Sequence, residues 1–141
     1  MKRKASAIWL GGLKDGKGSI STESGVLAQT QYSFSTRFES GVGTNPEELI
    51  AAAHAGCFAM AFSAELGKAG LTPETIHVTA TVSLDKTDAG WTVTESHLDL
   101  AAKIPGIDET KFMAIANGAK AGCPISRLLN AKVTLQAKLE R

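Results

Sequence analysis

The feature that most constrains this chain is a long stretch without charged side chains in its first half. From Leu49 to Ala64 no side chain carries a formal charge, apart from whatever His54 carries. A helix that is apolar on every side is normally buried rather than laid on a surface. The stretch is rich in alanine, and it is too short and too weakly hydrophobic to favour a membrane span. We therefore expect a central helix that is covered by other elements.

The residues around this stretch carry signals for both helix ends. Thr44 or Asn45 can cap the N-terminus, and Pro46 suits the first turn. Glu47 complements the positive end of the helix dipole, and it forms a capping-box pattern with Thr44. Gly70 is suited to the C-terminal stop. The sequence thus predicts one helix from about residue 45 to residue 70.

Alternation of apolar and polar residues predicts strands on both sides of this helix. The predicted strands are residues 4–10 and 31–39 before it, the hairpin 75–85 and 91–104 after it, and a last strand at 132–140. A further helix is expected from Asp108 to about Ala121. Strands, a buried helix, a hairpin, a helix and a final strand indicate an α+β fold, in one domain that spans 1–141.

The length of the chain predicts how the central helix is covered. With 141 residues the chain has the size of one ordinary domain, which leaves little material to surround a long apolar helix. An obligate homodimer in which two such helices pack together is the simplest remedy.

Charge and motifs exclude several classes of function. The formal net charge is +1 and aromatic residues make up 6%, so we expect neither nucleic acid nor an anionic membrane as a partner. Few apolar residues follow the basic N-terminus before Gly11, which predicts a cytoplasmic protein without a secretory leader. No zinc-ligand spacing and no nucleotide-binding or hydrolase motif occurs, so we expect neither a metal nor a cofactor.

Two cysteines are the candidates for chemistry. In a reducing compartment such a pair is either inert or redox-active. Cys57 lies within the central helix, where a small buried hydrophobe is the commoner role. Cys123 precedes Pro124 and is predicted at a helix N-cap, where backbone N–H groups lower the pKa of a thiol. A peroxide-reducing cysteine also needs a cation, and Arg37 is the natural one, although its position alone favours a solvated arginine on a strand.

Three blocks of the sequence resemble the OsmC branch of the OsmC/Ohr family. The blocks are GKGSISTESGVLAQTQYSFSTRFE (16–39), TNPEELIAAAHAGCFAM (44–60) and KAGCPIS (120–126). The most specific elements are the N-P-E motif with the cysteine that follows it, and the later C-P pair. The resemblance covers nearly the whole chain, and its blocks occur in order.

The resemblance implies a fold, an activity and a site. The fold is an intertwined homodimer with antiparallel sheets around buried central helices. The activity is that of a thiol peroxidase, which reduces organic hydroperoxides, and more weakly hydrogen peroxide, in osmotic and oxidative stress defence. Cys57 matches the peroxidatic cysteine, Cys123 the resolving cysteine, Arg37 the arginine that activates the thiolate, and Glu47 the carboxylate that orients this arginine. A small dithiol such as a dihydrolipoyl group is the implied reductant.

Helix geometry adds an expectation about the dimer. Glu47 and Cys57 are separated by about 15 Å along one helix, so an arginine held by Glu47 cannot easily reach Cys57 of the same chain. An antiparallel pair of helices places the Glu47 of one chain near the Cys57 of the other, with the active site across the interface. We also expect an apolar substrate pocket formed by Phe58, Met60 and Phe62.

Other interpretations remain open from the residues. They are a dithiol–disulfide oxidoreductase acting on proteins, a noncatalytic dimeric module that binds a small ligand and has structural cysteines, and a peroxide sensor. His54 lies on the same helix face as Cys57 and could act as a base, but a core histidine is the preferred interpretation.

Overall fold

The computed structural model describes all residues from Met1 to Arg141. Helices and strands are mixed, which confirms the α+β fold. The chain divides into two compact units, Met1–Leu49 and Ile50–Arg141, and each is described by itself. That the whole chain acts as one domain stays a prediction.

The first unit is built on a three-stranded antiparallel sheet. Its strands, in spatial order, are β1 (Ala5–Leu10), β2 (Lys17–Thr22) and β3 (Thr30–Tyr32). A short helix, α1 (Phe34–Phe38), follows, and then the first turn of the long helix α2 (Pro46–Lys68). The order of elements brings α1 and the start of α2 into this one unit.

The predicted strand at 31–39 is wrong beyond Tyr32, because local hydrogen bonds turn the chain into α1. The Ser33 hydroxyl accepts the Thr36 N–H at 3.2 Å, and the Thr36 hydroxyl oxygen accepts the Ser33 N–H at 2.8 Å. The rings of Phe34 and Phe38, one turn apart, have centroids 4.9 Å apart. Such a reciprocal cap competes directly with strand pairing. Arg37 therefore lies on a helix and not on a strand.

The N-terminus of α2 is capped by one of the two predicted residues. The Asn45 side-chain oxygen accepts the Glu48 N–H at 2.7 Å, so Asn45 is the cap. The Thr44 hydroxyl instead donates to the Glu48 carboxylate at 2.8 Å, and the predicted box between Thr44 and Glu47 is wrong. At the other end Gly70 has a φ of 74°, which confirms it as the stop, since this left-handed conformation suits glycine.

The long helix is buried on one face only. The buried face repeats every fourth residue and consists of His54, Phe58, Phe62 and Leu66, all fully buried. The opposite face carries small and apolar residues that are exposed: Ala52, Ala53, Gly56 and Met60. The expected burial on every side is therefore wrong for the single chain. By length and composition α2 could also cross a membrane, a test that core helices of soluble proteins pass as well.

The second unit contains a mixed three-stranded sheet. The predicted hairpin is confirmed as β4 (Thr75–Thr87) and β5 (Gly90–Lys103), and the last strand as β6 (Lys132–Glu140). β6 runs parallel to β5, so the expectation of antiparallel sheets is wrong here. The reason is that α3 (Glu109–Gly122) and α4 (Pro124–Leu128) form a crossover from β5 to β6.

The core of the second unit lies among α2, β5 and α3. Phe62 of α2 meets Phe112 of α3 edge to face, with ring centroids 5.8 Å apart. Leu98 and Leu100 of β5 belong to the same hydrophobic cluster, and all four of these side chains are buried. This packing holds α2 at a fixed rotation, because only its buried face fits the core.

Candidate active site

The two cysteines are in direct contact. Cys57 and Cys123 are free thiols whose sulphur atoms lie 3.0 Å apart. Cys123 is fully buried, whereas Cys57 is partly accessible. A disulfide bond has a length of about 2.05 Å, so a small displacement is enough to join the two atoms. The structure thus brings together two residues that the sequence alone could not show to be close.

The junction of α3 and α4 positions Cys123. The Cys123 N–H donates to the Ala119 carbonyl at 2.9 Å, which closes α3. Its carbonyl accepts the Arg127 N–H at 3.0 Å, which opens α4, and Pro124 occupies the first turn. The predicted N-cap position of Cys123 is confirmed. This junction places its sulphur 3.0 Å from that of Cys57.

The surroundings of the two sulphur atoms shift the pKa values of the two thiols in opposite directions. Burial raises the pKa of the Cys57 thiol, the Cys123 contact raises it further, and a hydrogen bond from the Ile125 N–H opposes both. Burial also acts to raise the pKa of Cys123, but hydrogen bonds from Cys57, from Ser126 and from the Ile125 N–H outweigh it, and the net pKa is lowered.

The proton that the two thiols share can lie on either sulphur, so the pair titrates as a unit. The donors of α4 stabilise negative charge better on Cys123 than on Cys57. A thiolate on Cys57 therefore needs a cation in addition to these donors.

Arg37 and Glu47 form a bidentate ion pair. Arg37 Nε donates to Glu47 Oε1 at 2.9 Å, and Arg37 Nη2 donates to Glu47 Oε2 at 3.1 Å. The side chain of Glu47 is 11% exposed and that of Arg37 is 39% exposed. The Asn45 amide also donates to the Thr36 carbonyl at 2.9 Å, which ties α1 to the start of α2. The guanidinium is thereby held in one orientation with part of its surface accessible.

An apolar pocket lies beside this arginine. Its volume is about 230 Å³, and Arg37 lines it together with Trp9, Leu13, Tyr32, Phe34 and Phe38. The expected pocket around Phe58 and Phe62 is wrong, because both rings are buried in the core, and Met60 is 77% exposed on the other face of the helix. The residues that sequence reasoning missed come from β1, the following loop, β3 and α1, and their aromatic content was the available signal.

The predicted site residues thus form two contacting pairs. Cys57 and Cys123 meet in the second unit, and Arg37 and Glu47 meet in the first. No cluster of three or more His, Cys, Asp or Glu side chains that could hold a metal ion occurs in the chain. The roles of the four residues remain predictions.

His54 is a buried histidine with two hydroxyl partners. Its Nδ1 lies 2.6 Å from the Ser96 hydroxyl oxygen, and its Nε2 lies 2.7 Å from that of Ser126. Burial lowers the pKa of His54, so the ring is neutral near pH 7. Sequence reasoning could not find Ser96 and Ser126, since both are distant along the chain and neither belongs to a recognisable motif.

Acid is expected to destabilise the fold through His54. Its pKa in the folded state lies below the unfolded value of 6.5, so below pH 6.5 the unfolded chain binds the proton more readily. The free energy of unfolding falls as the pH falls through this window, by at most about 1.4 kcal/mol per pH unit. Urea unfolding from pH 7.5 to pH 5 should show a steeper loss in the wild type than in His54→Gln. Equal slopes would contradict the assignment.

The fold and the thiol pair define an α+β protein with two cysteines in contact. One lies on a long helix, and the other lies at the start of a short helix. The family described as OsmC-like protein matches residues 39–138, and the chain belongs to that family. The chain is 55% identical over 138 residues to Peroxiredoxin OsmC of Escherichia coli (strain K12), which covers 98% of this chain and 96% of that protein.

Solved structures agree with this membership. The organic hydroperoxide resistance protein OhrB of Bacillus subtilis matches with a TM-score of 0.69 and 25% identity, covering 97% of this chain and 98% of that one. An OsmC-like protein from Mycoplasma pneumoniae matches with a TM-score of 0.78 and 16% identity, covering 100% and 99%, and shows the fold alone.

Proposed function

We propose that this protein is a cysteine-dependent peroxidase that reduces organic hydroperoxides to alcohols, and hydrogen peroxide more weakly, in oxidative and osmotic stress defence. The observation that carries the proposal is the contact of two free thiols at 3.0 Å in a member of the OsmC family. A relative at 55% identity is named a peroxiredoxin, and the OhrB relative is named for organic hydroperoxide resistance.

In the first step the Cys57 thiolate attacks the distal peroxide oxygen. The O–O bond breaks, the alcohol leaves after taking up a proton, and Cys57 becomes a sulfenic acid. Arg37 stabilises the thiolate and the charge of the transition state, and Glu47 orients the guanidinium. The bidentate ion pair supports the role of Glu47, and burial that raises the pKa of the Cys57 thiol gives a reason for a cation at the reacting sulphur.

In the second step Cys123 attacks the oxidised Cys57. A disulfide forms and water leaves, which protects Cys57 from further oxidation. The short distance between the two sulphur atoms supports this step. A small external dithiol, such as a dihydrolipoyl group, then reduces the disulfide by exchange. Because this cycle needs a reducing compartment, we place the protein in the cytoplasm, without nucleic acid or membrane as a partner.

The functional form is a homodimer in this proposal. The exposed face of α2 is made of small and apolar residues, Ala52, Ala53, Gly56 and Met60, which allow a second helix to approach closely. Antiparallel packing of two such faces brings the Glu47 of one chain toward the Cys57 of its partner. Light scattering at micromolar concentration should give twice the chain mass of 14.7 kDa. A monomer under these conditions would contradict the dimer.

The pocket beside Arg37 supports an organic substrate, because its lining is largely aromatic and aliphatic. With dithiothreitol as reductant, kcat/KM should be higher for cumene hydroperoxide than for hydrogen peroxide. Leu13→Ser should lower the value for cumene hydroperoxide about threefold or more, since it removes apolar contact area, and should leave that for hydrogen peroxide unchanged.

A matched control for this substitution is Val26→Ser. Val26 is 84% exposed in a loop and does not line the pocket. Equal efficiency toward both peroxides, or the same loss in Leu13→Ser and Val26→Ser, would count against the pocket as the substrate site.

A further inference from the structure

Three residues from neighbouring strands form one row across the sheet of the first unit. Trp9 of β1 lies opposite Gly18 of β2, and Gly18 lies opposite Tyr32 of β3. Residues that are directly opposite each other in antiparallel strands point to the same face of the sheet. Two aromatic side chains therefore flank a glycine, which has no side chain of its own on that face.

The glycine allows the two rings to approach each other. A methyl group added at Gly18 would lie 2.6 Å from Trp9 Cε3 and 2.8 Å from Tyr32 Cδ1, closer than carbon atoms approach without strain. In its absence the ring centroids of Trp9 and Tyr32 lie 5.4 Å apart, with their planes inclined by 55°. The indole is also fixed by a hydrogen bond, since Trp9 Nε1 donates to the Gly11 carbonyl at 3.1 Å. The inclination of the two rings is thus a built feature of the sheet.

Both rings line the pocket beside Arg37. Trp9 and Tyr32 are only partly buried, so a ligand can reach them. The short helix α1 adds Phe34 and Phe38 to the lining, and their ring centroids lie 4.9 Å apart. Arg37 is the one charged residue of the lining. The pocket therefore combines aromatic surface with a single cation.

The lining fits an aryl group attached close to a peroxide. Aromatic rings prefer offset-stacked or edge-to-face contacts, and two inclined rings offer a third ring both kinds of contact at once. The volume of about 230 Å³ is smaller than the roughly 300 to 1,000 Å³ of pockets for larger ligands, which fits one ring with a short substituent. The electron-rich peroxide oxygens would then lie toward the guanidinium of Arg37.

We infer that the row of Trp9, Gly18 and Tyr32 makes aryl hydroperoxides the preferred substrates of this pocket, with Gly18 as the residue that determines the specificity. The inference rests on the proposed peroxidase function and changes none of its steps. The row contacts the part of the substrate that leaves as the alcohol, and it does not touch the reacting oxygen atoms. The same preference is therefore expected in the binding of the product alcohol.

Two hydroperoxides with one skeleton separate aromatic contact from size. Cumene hydroperoxide carries a phenyl ring, and 2-cyclohexyl-2-propyl hydroperoxide carries a saturated ring in its place. With dithiothreitol as reductant, kcat/KM of the wild type should be about twofold to tenfold higher for cumene hydroperoxide, which corresponds to one aromatic pair. A ratio of one or below would overturn the inference.

Gly18→Ala should bring this ratio close to one, because the added methyl group displaces both rings. The ratio is the readout, since a general loss of activity affects both substrates alike and cancels. Gly118→Ala is the matched control: a methyl group at Gly118 of α3 meets no atom within 4 Å, so the ratio should equal that of the wild type. A folded Gly18→Ala with an unchanged ratio would overturn the inference.

A second variant carries the test if Gly18→Ala does not fold. Tyr32→Leu keeps an apolar side chain and removes one ring of the pair, so it should lower the ratio as well. Trp91→Leu makes the same kind of change in β5, outside the lining of the pocket, and should keep the ratio of the wild type. Equal ratios in Tyr32→Leu and Trp91→Leu would contradict a role of the aromatic row.

A binding measurement distinguishes failure of this inference from failure of the proposed function. The unreactive alcohols 2-phenyl-2-propanol and 2-cyclohexyl-2-propanol are titrated into the reduced protein, and the NMR signals of the indole N–H groups are followed. The Trp9 signal should shift and report tighter binding of the phenyl alcohol, with the Trp91 signal as internal reference. If neither hydroperoxide is reduced but this preference is found, the proposed function fails and the aryl preference of the pocket stands. If neither alcohol shifts the Trp9 signal, the inference is overturned even in an active peroxidase.

Discussion

Cys57→Ser is expected to abolish the reduction of cumene hydroperoxide. The loss in kcat/KM should be on the order of 10³-fold or more, because a hydroxyl cannot replace the thiolate as the attacking group. The substitution is nearly isosteric, and the thiol is only partly buried, so the fold should persist with a similar thermal midpoint. Peroxide consumption with dithiothreitol as reductant measures the effect.

Cys123→Ser is the informative partner of this variant. It should still react once with peroxide, but its Cys57 should proceed to the sulfinic acid when peroxide is in excess, since no second thiol is present to resolve it. The donors of α4 favour negative charge on Cys123. The two variants therefore test which of the two cysteines attacks the peroxide. Retained peroxide reactivity in Cys57→Ser together with its loss in Cys123→Ser would reverse the assigned roles.

Arg37→Met should have the second largest effect. Removing a preorganised cation from a developing negative charge costs roughly 10²- to 10³-fold in rate, and we expect a loss of that size in kcat/KM. Burial raises the pKa of Cys57, so the thiolate fraction should fall as well once the guanidinium is gone. Alkylation by iodoacetamide as a function of pH in Cys123→Ser, with and without Arg37→Met, reports this change directly.

Two further variants separate charge from geometry at this site. Arg37→Lys keeps the charge but loses the bidentate contact with Glu47, and it should recover only part of the rate. Arg3→Met removes the same type of side chain from the exposed N-terminus and should match the wild type. Arg37→Met that keeps kcat/KM within twofold of the wild type would remove Arg37 from the mechanism.

The elements that the sequence predicted correctly are those fixed by local pattern. Strict alternation predicted β4, and the turn that follows predicted its hairpin with β5. Gly70 marked the end of α2 because few other residues adopt its backbone conformation. The same alternation failed at α1, where the hydroxyls of Ser33 and Thr36 satisfy the backbone locally and replace strand pairing. Alternation of aromatic residues cannot distinguish these two outcomes.

The contacts that depend on tertiary packing could not be predicted from the residues. The distance between Cys57 and Cys123 is set by the rotation of α2 against its core and by the crossover through α3 and α4. The parallel pairing of β6 and the contact of His54 with Ser126 arise from the same crossover. The resemblance to a family predicted that the cysteines act together, which the pattern of residues alone left open.

The exposed face of α2 could not be predicted from the sequence either. An uncharged helix signals that something covers it, but the sequence does not say whether the cover comes from the same chain or from a second copy. In the single chain the core covers only the face that carries Phe58 and Phe62. The remaining face is the physical reason for proposing the homodimer.

The most direct measurement is a single turnover followed by intact mass and thiol titration. Reduced protein is mixed with one equivalent of cumene hydroperoxide, and the free thiols are counted after quenching. We predict rapid loss of both thiols, a fall in mass of about two hydrogens, and a peptide in which Cys57 and Cys123 of one chain are linked. Two intact thiols after minutes of exposure would contradict the peroxidase mechanism and indicate that the cysteines are structural.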